Sequence, residues 1–385
     1  MNAVVRPVFY FFRYLREAGL TLIFVTVLSL VLANSGMGDW YRHFWEMPVG
    51  PQLGPIDLNK SILHWINDGL MTLFFFLVGL EIKRELVAGE LSSFRKALLP
   101  VLGAVGGMLV PAMLYRFFNA SNVYSDGWGI PMATDIAFAL AILMMAGPRV
   151  PVGLKIFLTA LAIIDDLGAV LVIALFYTGE ISTLYLGLAA LMLPVFVFLN
   201  NYKKVRAWMF ILPSVFLWYF MLKSGVHATI AGVITALFLP LHVGKKKVPL
   251  LESVEHHFHG PVQFFIIPLF ALANTAIELP SDMAANIFSP LTYGIMAGLI
   301  VGKPVGILLF SMIGVKLNLC SLPSNVTWTQ MSAAGLLGGI GFTMSIFISM
   351  LAFTNPELQD QAKVAVLFAS VLAAISGLLL LKKAH

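Results

Sequence analysis

The chain has 385 residues, of which 59% are hydrophobic and 11% charged, with a mean hydropathy of +0.90. A soluble globule usually carries roughly 25% charged residues, so this composition excludes one and points to a membrane protein. The net charge is +5, but the basic residues lie in loops, which argues against a nucleic-acid partner; the single Cys320 excludes an intrachain disulfide or a thiolate metal cluster.

A helix needs roughly 20 predominantly apolar residues to cross the hydrocarbon core, and only helices and closed barrels satisfy their backbone there. The apolar runs here are too long and continuous for the alternating strands of a barrel. The first, Gly19 to Asn34, follows Arg6, Arg13 and Arg16 as a signal peptide would. No small-residue cleavage site is evident and similar runs recur to the C-terminus, so it reads as the first span. Twelve spans are predicted, at about 17–34, 61–82, 97–116, 129–146, 154–177, 181–200, 207–222, 225–241, 260–277, 290–314, 329–352 and 363–381. The expected fold is an all-α polytopic membrane protein, organised as one integral membrane domain over 1–385.

With a cytoplasmic N-terminus, the outside loops and span ends carry only Arg42, Lys60, Arg116, Lys223 and Lys363, and Lys303 alone lies deep within a span; the rest of the 24 Lys and Arg fall to inside segments and span ends. This bias supports an even number of spans with both termini cytoplasmic. The longest outside connection, Ser35 to Lys60, contains "MPVGPQLGPIDL", whose Pro and Gly punctuation suggests a small surface hairpin or, alternatively, an irregular loop.

Two spans differ from plain anchors. The fourth reads "GWGIPMATDIAFALAILMMAG", with Pro131 followed by Thr134 and Asp135; the eleventh reads "AAGLLGGIGFTMSIFISML", with Gly338, Gly339 and Gly341 followed by Thr343 and Ser345. Gly costs roughly 1 kcal/mol and Pro roughly 3 in a helix interior, so both favour a break, although small residues also serve close helix packing in membranes. The two spans cross in opposite directions, so spans 3–5 and 10–12 are expected to form an inverted repeat with a discontinuous helix in each. A broken helix exposes carbonyls to a cation and N–H groups to an anion, and Asp135 can supply the anion.

The fifth span holds "TALAIIDDLGAVLVIALF", with Asp165 and Asp166 side by side and no positive charge within a helical turn. Each Asp at a helix centre costs roughly 2.5–3.5 kcal/mol on insertion scales, so the pair costs on the order of twice that. Adjacent helical residues point about 100° apart, and both carboxylates can reach one hydrated cavity without facing lipid. A small hard cation accepts such oxygens together with backbone carbonyls and water. Protons compete for the same oxygens, because an uncharged carboxyl is the cheaper occupant of a low-dielectric site. Competition becomes exchange if the vacant, unprotonated site is reluctant to change its facing. Lys303, in "AGLIVGKPVGILLF", either pairs with one of these carboxylates or offsets the negative C-terminal ends of the broken helices; a purely structural ion pair leaves three intramembrane Asp against one Lys unexplained.

Outside the spans, Glu81 and Glu85 lie four apart on one face at the end of the second span, the pattern of a solvated, salt-bridged helix end. "LLESVEHHFHG" gathers Glu255, His256, His257 and His259, groups that can titrate near neutrality but lack a familiar metal-ligand spacing. His227, in "LKSGVHATIAG", is a structural hydrogen-bonding group or a sensor.

Seven segments, "VGLEIKREL", "ATDIAFAL", "ALAIIDDLGA", "LKSGVHATIAGV", "PLFALANT", "GKPVGI" and "GGIGFTMSIFI", together resemble the bacterial sodium/proton antiporters of the NhaA type over nearly the whole chain. That family is itself a type example of the inverted-repeat rule. The resemblance implies a multi-pass protein of the bacterial inner membrane that expels sodium or lithium in exchange for protons, electrogenically and more actively at alkaline pH, with no cofactor. It makes Asp165 and Asp166 the cation and proton carriers, sets Thr134 and Asp135 at the crossed helix breaks and Lys303 as their buried partner. It gives Glu81, Glu85, Glu255, His259 and His227 pH-related roles, the wording "EHHFHG" around Glu255 being looser than elsewhere. A homodimer joined through the outside hairpin is likewise implied. Two other functions fit buried acids: an intramembrane aspartyl protease, whose carboxylates must face each other from separate helices whereas vicinal residues diverge, and a cation channel lined by acidic rings.

Overall fold

The computed structural model describes residues 5–53, 56–120, 123–147, 149–244, 248–279 and 289–384. Gly54 and Pro55 of the predicted hairpin segment, and Lys245 to Lys247 of a predicted inside loop, lie outside them. The described residues are mostly helical: α1 (Val5–Ala33), α2 (Gly38–Glu46), α3 (Ile62–Val87), α4 (Phe94–Asn119), α5 (Ile136–Met145), α6 (Val152–Phe176), α7 (Thr183–Asn201), α8 (Ala207–Ser224), α9 (Ile230–Phe238), α10 (Leu250–Pro261), α11 (Ile267–Asn274), α12 (Pro290–Lys316), α13 (Trp328–Gly338), α14 (Phe342–Ala352) and α15 (Pro356–Lys383).

Among the described residues, seven helices are long and apolar enough to cross a membrane, or up to ten if each of three bent pairs is one span. Large apolar side chains such as Phe117, Leu184, Leu191 and Leu212 are exposed, whereas Asp135, Asp165, Asp166 and Lys303 are buried. That inversion of the soluble pattern is what hydrocarbon solvent requires, and the protein is an all-α polytopic membrane protein.

Local chemistry sets the helix ends. The Ser289 hydroxyl accepts from Thr292 N at the start of α12, with Pro290 at its first position, and Thr327 and Gln330 form a reciprocal capping box on α13. Gly225 ends α8 in the left-handed conformation (φ 84°), where a Cβ would lie 2.0 Å from Glu180 O, so only glycine fits. The turn that follows shortens α9 to nine residues where sequence periodicity predicts a span over about 225–241. Between α2 and α3, Pro48–Val49 pairs antiparallel with Lys60–Ser61, and Gln52–Leu53 with Ile56–Asp57, so this connection is a hairpin rather than an irregular loop. The preceding helix α2, bent 113° from α1, has no counterpart in the sequence reading.

The chain divides into two compact units. The first comprises Met1–Val25, Glu90–Ala169 and Leu279–His385. In it α4 and α12 approach closely enough that a Cβ on Gly106 would sit 2.2 Å from Gly306 O, and one on Gly306 would sit 2.1 Å from Gly106 O. Small residues thus permit backbone contact, the usual route to tight helix packing in membranes. The second unit, Thr26–Gly89 and Val170–Glu278, is held by larger groups, including Leu80, Leu217 and Met221 and a stack of Phe196 on Phe210 and Phe238 with centroids 5.9 and 5.8 Å apart.

Candidate functional site

The first unit contains two interrupted helices. A short 3-10 segment, Ser125–Met132 with Pro131 inside it, leads through Ala133–Asp135 into α5 at a bend of 41°, and α13 leads through Gly339–Gly341 into α14 at 43°. Each interruption leaves N–H groups on one side and carbonyls on the other without helical partners. The two interruptions touch, with Asp135 N donating to Ile340 O at 2.7 Å.

One carboxylate serves both new N-termini. Asp135 Oδ1 accepts from Phe138 N of α5 at 2.9 Å, and Oδ2 accepts from Thr343 N of α14 at 3.1 Å and from the Thr343 hydroxyl at 2.5 Å. A negative charge there meets the positive ends of two helix dipoles. The opposite ends meet donors: Lys303 Nζ donates to Met132 O, and the Thr134 hydroxyl lies 2.8 Å from Gly338 O. Two groups absent from the sequence reading complete the arrangement, Ser370, whose hydroxyl accepts from Phe342 N at 3.1 Å, and the carbonyl of Ile130, which accepts from Ser345 at 2.6 Å. Ser370 could have been noticed as a polar residue in the apolar run of α15, but its partner is 28 positions away.

Asp165 and Asp166 lie on α6, 1% and 2% exposed. Lys303 Nζ is 2.9 Å from Asp165 Oδ2, and the single Thr134 hydroxyl proton is shared between that oxygen, at 2.7 Å, and Gly338 O. Lys303 therefore has both partners that the sequence left as alternatives. Asp165 Oδ1 makes no hydrogen bond among the described residues. Lys303 is the one buried base among three buried acids, Asp135, Asp165 and Asp166, of this cluster in the described residues. An oxygen donor set of this kind suits a small hard cation, and Asp165 and Asp166 are the buried carboxylates that could hold one. Asp135 is taken up by the two helix ends, and this cluster holds no opposed carboxyl pair among the described residues of the kind a water-activating protease needs.

In the second unit, Glu81, Arg84, Glu85, Glu255 and His259 form a cluster at the end of α3. Glu81 Oε1 is 3.0 Å from His259 Nε2, which lies 3.9 Å from Glu255 Oε1; Arg84 stands between Glu255 Oε2, at 3.4 Å, and Glu85 Oε1, at 3.0 Å. Burial pushes the Glu255 pKa up, Arg84 holds it down, and the charge of Glu81 raises it again, leaving it at about 7. Burial opposes charge on His259, but its hydrogen bond to Glu81 and the charges of Glu81 and Glu255 outweigh this and raise its pKa above the ordinary histidine value. Arg84, which joins Glu85 to the others, went unremarked in the sequence because its role needs a residue from α10. His227 contacts none of these groups; its Nε2 is 2.8 Å from Tyr177 O.

A family model described as Na+/H+ antiporter 1 matches residues 10–381. A protein named Na(+)/H(+) antiporter NhaA 2 from Flavobacterium johnsoniae is 50% identical over 373 residues, 97% of this chain and 91% of its own. Proteins named Na(+)/H(+) antiporter NhaA from Cytophaga hutchinsonii and from Escherichia coli are each 49% identical, over 367 and 371 residues; both matches cover 95% of this chain, and 92% and 95% of the relatives.

Proposed function

Because the chain belongs to the Na+/H+ antiporter 1 family and is a secondary active sodium (or lithium)/proton antiporter of the bacterial inner membrane, not an enzyme, we propose that Asp165 and Asp166 are the carboxylates at which the two ions exchange. The observation that carries this assignment is the state of Asp165: fully buried, tied through Oδ2 to Lys303 and Thr134, and with Oδ1 left without a hydrogen bond. A buried oxygen in that condition gains from either a proton or a bare cation, and each occupant excludes the other.

In this reading the chain 1–385 works as one transporter domain of twelve spans, with spans 3–5 and 10–12 as inverted repeats and the fourth and eleventh as its discontinuous helices. The bends of 41° and 43° support it. Asp135, Thr134 and Lys303 neutralise the broken ends, so that the site can change its facing without leaving bare helix termini in hydrocarbon. Protons load from outside and sodium from inside, and the exchange is electrogenic. The basic residues expected in inside segments support cytoplasmic termini. Glu81, Glu85, Glu255 and His259 form the pH-responsive group, with His227 a further pH-related position, and the hairpin between α2 and α3 joins two copies in a homodimer.

The test is sodium-induced dequenching of a pH-sensitive dye in reconstituted vesicles. Asp166→Asn should abolish the sodium response while the wild type responds to sodium or lithium and not to potassium. Undiminished exchange in Asp166→Asn would refute the assignment.

A further inference from the structure

Glu81 on α3 and Glu255 and His259 on α10 come from segments more than 170 positions apart in the sequence, yet one ligand atom from each lies within 4.8 Å of the other two. Glu255 is more than nine-tenths buried and accepts no hydrogen bond from any described residue. Its oxygens approach Arg84 Nε at 3.4 Å and His259 Nε2 at 3.9 Å without forming one. Oε2 is ion-paired with Arg84, whereas Oε1 faces His259 Nε2 beyond hydrogen-bond distance, a separation that a bridging ion can close.

We propose that Glu81, Glu255 and His259 bind a divalent transition-metal ion of the zinc class, at a site that uses none of the residues assigned to the transported cation. The donor set selects the metal. Sodium, magnesium and calcium favour oxygen-only shells, whereas one imidazole nitrogen with two carboxylates and an open position for water suits zinc. In a tetrahedral shell with bonds of about 2.0–2.1 Å, ligand atoms stand roughly 3.3–3.5 Å apart. The separations of 3.0 Å between Glu81 Oε1 and His259 Nε2 and of 3.9 Å between His259 Nε2 and Glu255 Oε1 straddle that range. Two carboxylates and a neutral imidazole balance a 2+ charge. Arg84 engages the other Glu255 oxygen, Oε2, and Glu85, and so holds the ligand carboxylate from outside the shell, as outer-sphere partners of metal ligands do. The ion replaces the proton that His259 shares with Glu81.

The experiment uses the full-length protein, purified in detergent and stripped with a chelator. It is titrated with Zn2+ by calorimetry and with Co2+ by visible absorption, in which a tetrahedral cobalt site gives intense d–d bands. The wild type should take up one Zn2+ per chain and develop the cobalt bands. His259→Ala and Glu255→Gln should each weaken Zn2+ at least tenfold and lose the bands; Glu81→Gln serves if either fails to fold. The double variant His256→Ala/His257→Ala, which removes two exposed imidazoles of the same helix, should bind as the wild type does. Absence of Zn2+ uptake in the wild type at micromolar concentration, unchanged uptake in His259→Ala, or loss only in the His256/His257 variant would each overturn the proposal. The readout is metal binding, so its failure leaves the exchange reading standing.

Discussion

The two titratable clusters solve opposite problems. In the first unit Asp135, Asp165, Asp166 and Lys303 are buried to within 2% of full burial, and Asp135 and Lys303 are held by backbone groups set free at helix breaks. In the second unit Glu81 and His259 are part-exposed, Glu85 pairs with Arg84, and Glu81 pairs with His259 side chain to side chain. Backbone atoms cannot titrate, so in the first cluster the partners of Asp135 and Lys303 keep their charge state at any pH, whereas in the second cluster both members of the Glu81–His259 pair can change charge. Burial alone does not distinguish the proposed exchange site from the proposed pH-responsive group; what each charge is bonded to does.

Breaking the first cluster should have the largest effect. Lys303→Met leaves Asp165 buried without its counter-charge, an event that typically costs about 3–5 kcal/mol. Thermal unfolding in detergent should show that loss, and Lys303→Met/Asp165→Asn should recover most of it while remaining unable to exchange. If the double variant is no more stable than the single one, the 2.9 Å pair is not what Lys303 compensates.

The second cluster predicts a pH signature. The folded-state pKa of Glu255 is raised from 4.5 to about 7, so the folded protein binds more protons than the unfolded chain across that window, and this contribution is fully present below 4.5 and lost as pH rises through 7. His259, also raised, adds a loss of the same sign at the upper end. Glu81 and Arg84 are charges facing both, and Glu85 faces Glu255. In chelated buffer, wild-type stability should fall between pH 5 and 8 by on the order of 3 kcal/mol at most, read as a lower unfolding temperature. Glu255→Gln should flatten the curve, gaining on the wild type at the alkaline end. An unchanged slope would show that Glu255 is not the titrating group.

Smaller changes sharpen the comparison at the helix ends. Thr343→Val removes the hydroxyl that donates to Asp135 but keeps the backbone donor, and a hydrogen bond to a charged group is worth about 1.5–3 kcal/mol. Ser370→Ala leaves Phe342 N without its acceptor and should cost about 1 kcal/mol, with little effect on ion affinity. A large fall in sodium affinity with Ser370→Ala would mean that the α14 terminus binds the ion directly.

Much of this was readable in one dimension. Apolar runs, Pro131 and the glycines at 338, 339 and 341 dictate where helices form and where they break, because hydrocarbon penalises every unsatisfied backbone group locally. The vicinal carboxylates announced themselves for the same reason: no sequence tolerates Asp165-Asp166 in such a run without a use for it. The π-helical turns, such as Trp65–Leu70 and Gly298–Gly302, and the helix α2 left no comparable trace, since their register follows from packing.

Sequence by itself thus determined the solvent, the helices, the breaks and the identity of the costly charges, all of which are set by the cost of placing a given residue in lipid. Which atom answers which was decided only by tertiary structure: Asp135 on Thr343, Lys303 on both Asp165 and Met132, Glu81 on His259. These contacts join residues 138 to 208 positions apart, or 171 in the case of Lys303 and Met132, and electrostatic pairing depends on distances of a few ångströms that no local pattern encodes.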